Sequence, residues 1–339
     1  MPFSSRRRPA SLALLLLVAA GCASQAGGAE YSGEDAATAQ AANLALALPA
    51  SGFQVQTRTL LIEPGEDIRW CEVVRLPGGP SDVYSVDRIE TAMTEHSQDL
   101  IVSAAAVGSE TDGAMEAGAQ VPCTRAGEAF GEEVAALTSS QRAYHDQRYP
   151  AGVGHVLRGG QKLAIDYHSV NPGTQPVTAQ VKLNFHFAPQ AIAHNAHLAG
   201  FDNLTIYTPP GGRSSHLAEC RVDEELLVSE LIRRTQSRGT RFRVWIAGGE
   251  RDGELLWASR GPEDARVAFR SPLHLMPGEG LRFQCDYVNT TELELRYGVN
   301  AGDEMCTLGA TYWLPEDHAE AELQGCLLLE VDADGVARK

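Results

Sequence analysis

Short runs alternating between apolar and polar residues, cut off every ten to thirty residues by Pro and Gly, constrain this 339-residue chain most. In VTAQVKLNFHF, residues 177–187, Val177, Ala179, Val181, Leu183, Phe185 and Phe187 fall on one face of a strand, and Thr178, Gln180, Lys182, Asn184 and His186 on the other. RFRVWI sets Phe242, Val244 and Ile246 against Arg241, Arg243 and Trp245. Successive side chains of a strand point to opposite faces, so this period of two builds sheets with one apolar side. LRFQCDY and ELELRYGV alternate likewise and flank VNTT, which reads as a hairpin, and GGERDGE reads as another hairpin turn. PGGP, NPG, TPPGG and MPGEG punctuate the runs. The expectation is a mainly β chain of two consecutive antiparallel β-sandwich, jelly-roll-like domains, over 51–190 and 200–332. GEEVAALTSSQRAYHD and VDEELLVSELIRR dissent, since their propensity suits a helix at least as well.

Residues 1–22 stand apart from the fold. MPFSSRRRP is a basic leader, ASLALLLLVAA is too short to span a bilayer, and GCAS follows. This reads as an export signal ending in a lipobox, with Cys22 acylated at the mature N-terminus, or as an ordinary cleaved signal. Ala23 after the cysteine favours the outer membrane, with the chain periplasmic or at the cell surface. Residues 23–50, rich in Ala, Gly and Ser, read as a flexible tether. Three of the 28 basic residues leave with the signal, so 25 remain against 44 acidic ones, a formal charge of −19. Such a chain, without a basic patch, is not built for nucleic acid. Cys71, Cys123, Cys220, Cys285, Cys306 and Cys326 contain no CxxC pair, and an even number behind an export signal reads as three disulfides.

The C-terminal half carries a more specific signal. SELIRRTQSRGTRFRVW is followed by CDYVNTT, YGVNAGDEMC and a closing aromatic strand, with TPPGGRSSHLAEC before them. In that order these segments resemble the second domain of the copper type II, ascorbate-dependent monooxygenases, the peptidylglycine α-hydroxylating and dopamine β-monooxygenase group. YPAGVGHVLRGGQKLAIDYHSVNPG and WCEVVRLPGG resemble the first domain of that family. The resemblance covers roughly 55–330. It implies one copper per domain, three His in the first and a His-x-His pair plus Met in the second, for hydroxylation of a C–H bond with ascorbate as electron source. Imidazole suits both copper oxidation states and a thioether favours the reduced one. It also implies the pairs Cys285–Cys306 and Cys220–Cys326, leaving Cys71–Cys123.

Carried over residue by residue, the resemblance puts Met305 on the ligating Met, but Arg234 and Gln236 on the His-x-His pair. A guanidinium stays protonated and has no lone pair for a cation. In the first domain His168 falls on the third His. The adjacent pair falls on Ser97–Gln98 or Gln98–Asp99, with His96 off register. Met305, His168 and His96 are therefore expected as vestigial copper ligands, with copper absent or at most one ion. His194 and His197 form an HxxH in what reads as a solvated connection between domains. No GxSxG occurs, and the sequons at Asn203 and Asn289 carry no weight behind a lipobox. Function is then expected as a catalytically degenerate, lipid-anchored binding protein for an unidentified small molecule, peptide or protein. The alternatives are an active copper monooxygenase with displaced ligands and a one-copper protein.

Overall fold

The computed structural model describes residues 44–123, 129–131, 133–261 and 264–315, with the backbone of 326–331 and 337–338. Alternation of apolar and polar side chains is realised as a mainly β, sandwich-like fold. One sheet orders Gly52–Gln56, Val181–Phe187, Val83–Met93, Val153–Arg158 and His194–Asn195, and Tyr144–Arg148 also pairs with Val83–Met93. A five-stranded sheet orders Gln120–Pro122, Asp67–Arg75, Lys162–Val170, Ser97–Ala105 and Val134–Ser140. From residue 197 onward, one sheet orders His197–Asp202, Thr307–Trp313, Leu226–Arg234 and Arg266–Leu275. Another orders Leu255–Ser259, Gly239–Ala247, Gly280–Val288, Arg213–Arg221, Cys326–Val331 and Ala337–Arg338. Among the described strands, no ladder joins residues up to 195 to residues from 197 onward. The ladders are antiparallel apart from His194–Asn195 against Val153 and Gly154.

Each half closes over its own apolar interior. Ile89, Leu100, Val102, Leu163, Ile165, Tyr167, Leu183 and Phe185 fill the first, and Val228, Leu231, Phe242, Val244, Ile246, Phe283 and Leu308 the second. Truncating a ring such as Phe242, fully buried, would cost about 3–5 kcal/mol. Trp313, from the second half, packs into the first core beside Leu227. Cys71–Cys123 and Cys285–Cys306 are disulfides. Cys220 is also disulfide-bonded, and the backbone of Cys326 stands directly opposite it in register.

Several sequence expectations are corrected. The dissenting stretch 131–146 is not helical: Val134–Ser140 pairs with Ser97–Ala105, and Tyr144–Arg148 with Val83–Met93. Long-range ladder bonds override a weak local propensity. VNTT does not close a hairpin, because Gly280–Val288 pairs with Arg213–Arg221 and Gly239–Ala247, whereas Leu295–Arg296 pairs with Tyr207–Thr208. Asn289 organises that turn, its Nδ2 donating to the carbonyls of Pro209 and Leu293. The HxxH stretch is no solvated linker: Ala196 is buried, Ala196 N donates to Gly154 O, and His197 stacks on Tyr312. The end of the expected tether is also held, since Lys182, Gln54 and Asn184 donate to the carbonyls of Leu44, Leu46 and Ala47. Cys22 and the signal lie outside the described residues. Among the described residues no helix is long and apolar enough to cross a membrane.

Candidate functional site

The five-stranded sheet decides what faces the second half. Leu163, Ile165 and Tyr167 point into the first core, so alternation sends Ala164, Asp166 and His168 to the opposite face. Register brings Arg69 and Asp99 to either side of His168, and Cys71 opposite Asp166. Cys71, Val73 and Ala164 are covered by Met115 and Ala105. Beyond them the polar end of this face meets the second half.

Four charges meet there. Arg69 Nη2 lies 2.9 Å from Asp99 Oδ1, and Arg69 Nε lies 2.8 Å from Asp166 Oδ1. From the other half, Arg234 Nη2 reaches Asp99 Oδ1 at 3.3 Å. Nothing of Asp99 is exposed. Burial alone would keep its carboxyl protonated, but Arg234, Arg69 and His168 outweigh it and hold its pKa below the usual carboxylate range. Asp166 has less cationic company, and burial pushes its pKa up to about 6 against the pull of Arg69. For Arg69, burial opposes the charge, yet Asp99 and Asp166 prevail and its pKa rises.

His168 sits near the end of its strand, buried, with Nε2 2.6 Å from Asp67 Oδ1 and Nδ1 without a hydrogen-bond partner. Asp67 Oδ2 accepts from Ala301 N at 2.8 Å, so this carboxylate also ties the halves together. Of the positions where the resemblance would place the first-domain pair, Gln98 is exposed, Ser97 bonds Ser169 and Thr94 through its hydroxyl, and Asp99 turns inward. His96 occupies the turn before Ser97, and its carbonyl accepts from Val170 N.

The second half brings Arg234 and Met305 into one neighbourhood. Arg234 stands opposite Thr307 in register. Gln236 N and Arg238 N donate to Glu304 Oε2 and Oε1 at 3.0 and 2.7 Å. Burial pushes the Glu304 carboxyl up to about 7, against those two backbone donors. Met305 is buried, its carbonyl accepting from Tyr287 Oη at 2.7 Å, and Cys306 beside it is bridged to Cys285.

These donors do not fit a copper ion. At 234 a guanidinium, already committed to Asp99, stands where an imidazole would be needed, and Gln236 offers only an amide. Among the described strands of the five-stranded sheet, His168 is the one histidine. Among the described residues, the group of three His, Cys or carboxylate donors close enough to share an ion is Cys71, Cys123 and Asp166. Its two sulfurs are bonded to each other.

A second set of polar contacts also links the halves. Arg266 lies 3.0 Å from Glu230 Oε1 and also bonds His145 Nε2 and Ser139 O. Gln147 Nε2 donates to Thr311 Oγ1 at 3.2 Å, and Gln141 Nε2 to Thr235 O at 3.3 Å. Burial, and then Arg266, push the His145 pKa down to about 3, which leaves a neutral ring able to accept. Nearby in sequence, the Nε2 of buried His155 is hydrogen-bonded to Tyr149 Oη at 2.8 Å, and burial lowers its pKa to about 4.

Arg69, Asp166, Asp67 and Glu304 were not singled out from the sequence. For Arg69 and Asp166 the signal was a charge inside an apolar strand, in DIRWCEVV and LAIDYH. No family model matches the chain, and no curated protein does. Among solved structures, the major capsid protein P2 of bacteriophage PM2 superposes with a TM-score of 0.34 at 9% identity, over 78% of this chain and 98% of that one. An infectious bursal disease virus (Gx strain) structure gives 0.16 at 11% identity, over 81% and 77%. Similarity this low carries no argument about what the chain does.

Proposed function

We propose that this protein is a non-catalytic relative of the copper type II ascorbate-dependent monooxygenases, exported, lipid-anchored through Cys22 and acting as a binding protein. What supports the reading is one contact, the ion pair between Arg234 and buried Asp99. Arg234 stands at a position where the resemblance calls for a copper ligand, and Asp99 does so in one of the two registers the resemblance allows. A fixed positive charge repels a metal ion, and a carboxylate already shared by two guanidiniums has little to offer one. Without a redox-active ion there is no centre for oxygen, so the surface of the sandwich pair is left for a small molecule, a peptide or a protein.

The deciding experiment uses the mature chain, made in an oxidising compartment and dialysed against copper, with metal counted by elemental analysis and oxygen uptake followed with ascorbate. The expected result is no stoichiometric copper and no uptake. Two coppers per chain with uptake would replace this reading with that of an active monooxygenase. A second reading, a one-copper protein, rests on the unpartnered Nδ1 of His168, whose other nitrogen is already oriented by Asp67. A carboxylate-oriented imidazole is a common metal-ligand arrangement. One copper per chain, lost in His168→Gln, would select it.

A further inference from the structure

In the sheet built around Val83–Met93, Ile89 points into the first core, so alternation sends Arg88 and Glu90 to the outer face. Register sets His186 and Asn184 on one flank of that pair, and Asp146 and Tyr144 on the other. Four side chains converge on the Glu90 carboxylate. Tyr144 Oη and Arg88 Nη2 donate to its Oε1 at 2.7 and 2.8 Å, and Asn184 Nδ2 donates to its Oε2 at 3.1 Å, with His186 Nε2 2.6 Å from the same oxygen. Burial would raise this carboxyl, but Tyr144, Asn184, His186 and Arg88 outweigh it and hold its pKa below the usual carboxylate range. The segment from residue 44 onward lies across the same face, with the carbonyls of Leu44, Leu46 and Ala47 held by Lys182, Gln54 and Asn184. A cavity of about 540 Å³ is lined by residues 45–51 of that segment and by Arg88, Glu90, Tyr144, His186 and Phe187.

The bonds already made decide what else this cavity can hold. Glu90 has its acceptor positions filled by four partners, so it orients its neighbours rather than a ligand. Arg88 commits Nε and Nη2 to Asp146 and Glu90, which leaves Nη1 as a donor. Tyr144 uses its one O–H on Glu90, so its oxygen offers only an acceptor. His186 turns Nε2 to the same carboxylate, and in the neutral ring Nδ1 is then an acceptor too. The two formal charges on the lining, Arg88 and Glu90, already compensate each other. A charged ligand therefore finds no spare counter-charge, whereas a hydroxyl group, which donates and accepts at once, matches a donor set beside two acceptors. We propose that this cavity binds a neutral saccharide, with Arg88 Nη1 donating to its hydroxyls and with Tyr144 Oη and His186 Nδ1 accepting from them. The C–H face of a sugar ring packs on the ring of Tyr144, which is 50% exposed, and the Ala, Leu and Pro side chains of residues 45–50 add apolar surface. The proposal rests on the reading of this chain as a binding protein and gives it a ligand class. Copper is counted separately, so a copper-free chain that binds no sugar would end this proposal and leave the non-catalytic reading standing.

The test titrates the mature chain by calorimetry with the mono- to tetrasaccharides of glucose, galactose, mannose and N-acetylglucosamine, and with glucuronate and sialic acid as charged probes. At least one neutral saccharide should bind with a Kd of about 1 mM or tighter, and the charged probes should bind more weakly. Tyr144→Ala and His186→Gln should each weaken that binding about tenfold, and Tyr144→Phe, which keeps the ring, should weaken it less. No binding by any neutral saccharide of the set, tighter binding of the charged probes, or full affinity in Tyr144→Ala would overturn the proposal. If His186→Gln fails to fold, the two variants at the half-exposed Tyr144 decide alone.

Discussion

Arg234→Gln removes the cation that joins the two halves at Asp99. The contact is 3.3 Å long, with side-chain exposures of 12% for Arg234 and 1% for Asp99. At the effective dielectric of roughly 20 that suits such sites, a pair at this range attracts by about 5 kcal/mol before desolvation is counted. Removing one partner of a buried pair typically costs about 3–5 kcal/mol, because the other charge stays behind. Here Asp99 keeps Arg69 at 2.9 Å, so the expected loss falls to about 2–3 kcal/mol. Urea unfolding of the unmodified chain, Arg234→Gln, Asp99→Asn and the double variant gives the coupling energy directly. It should be about 2 kcal/mol, with the double variant less destabilised than the sum of the singles. The loss should also survive high salt, since screening acts weakly on a buried pair. A midpoint unchanged in Arg234→Gln, or a coupling under about 0.5 kcal/mol, would mean that the halves are not joined through this contact.

Other outcomes follow from the same geometry. His145 and His155 are held neutral, with pKa values near 3 and 4, so the unfolded chain takes up protons first as pH falls. Their stabilisation is present above about pH 6.5 and is lost from there towards pH 4, at up to about 1.4 kcal/mol per pH unit for each ring. Glu304, raised to about 7, acts in the opposite sense between pH 7 and 4.5, so the acid loss should steepen in Glu304→Gln; urea midpoints at pH 7 and 5 check both. Arg234→His with Gln236→His should gain one copper per chain beside Met305, seen by elemental analysis and the copper resonance spectrum, and a variant that gains none would refute the ligand geometry assumed for residues 234–236. Gly280→Ala should lower stability by about 3 kcal/mol, because its Cβ would stand 1.8 Å from the carbonyl oxygen of Cys220, and a thermal melt without a large shift would contradict this.

The period-2 runs carried the fold because burial on one face is a local property of a strand. Phe242, Val244 and Ile246 are all fully buried, as their alternation with Arg241, Arg243 and Trp245 requires. Val134–Ser140 was harder to read, since AALTSS has no strong alternation and its strand state is supplied by a partner some thirty residues away. The sequons had a structural meaning: in both, the Asn Oδ1 accepts from the backbone and hydroxyl of the Thr two residues on, at 3.0 and 2.8 Å. That is a turn motif. At the site, the resemblance drew attention to Arg234 and to the stretch around Asp99. It could not show that they touch, because residues 135 apart in sequence meet only through the docking of the halves. Arg69 was the least legible. An arginine in a strand ordinarily faces water, and its partners Asp99 and Asp166 come from two other strands.

Buried charge is a costly way to join two sandwiches, so its form here carries information. Apolar packing already exists at the junction, where Trp313 enters the first core, and more of it would have been at least as stable. Instead, the contacts that fix the halves are directional: Arg234 to Asp99, Ala301 N to Asp67, Arg266 to Ser139 O and Gln147 to Thr311. Directional contacts tolerate few alternative arrangements, and each loses its partner if the halves slide. They also include Asp67, which holds the ring of His168, and Arg234, which stands opposite Thr307. Opening the junction there would separate Arg234 from Asp99 and leave each charge in a poorly hydrated site. Access between the halves is therefore opposed by electrostatics. A molecule meets a lower barrier at the outer faces of the sheets than at the junction.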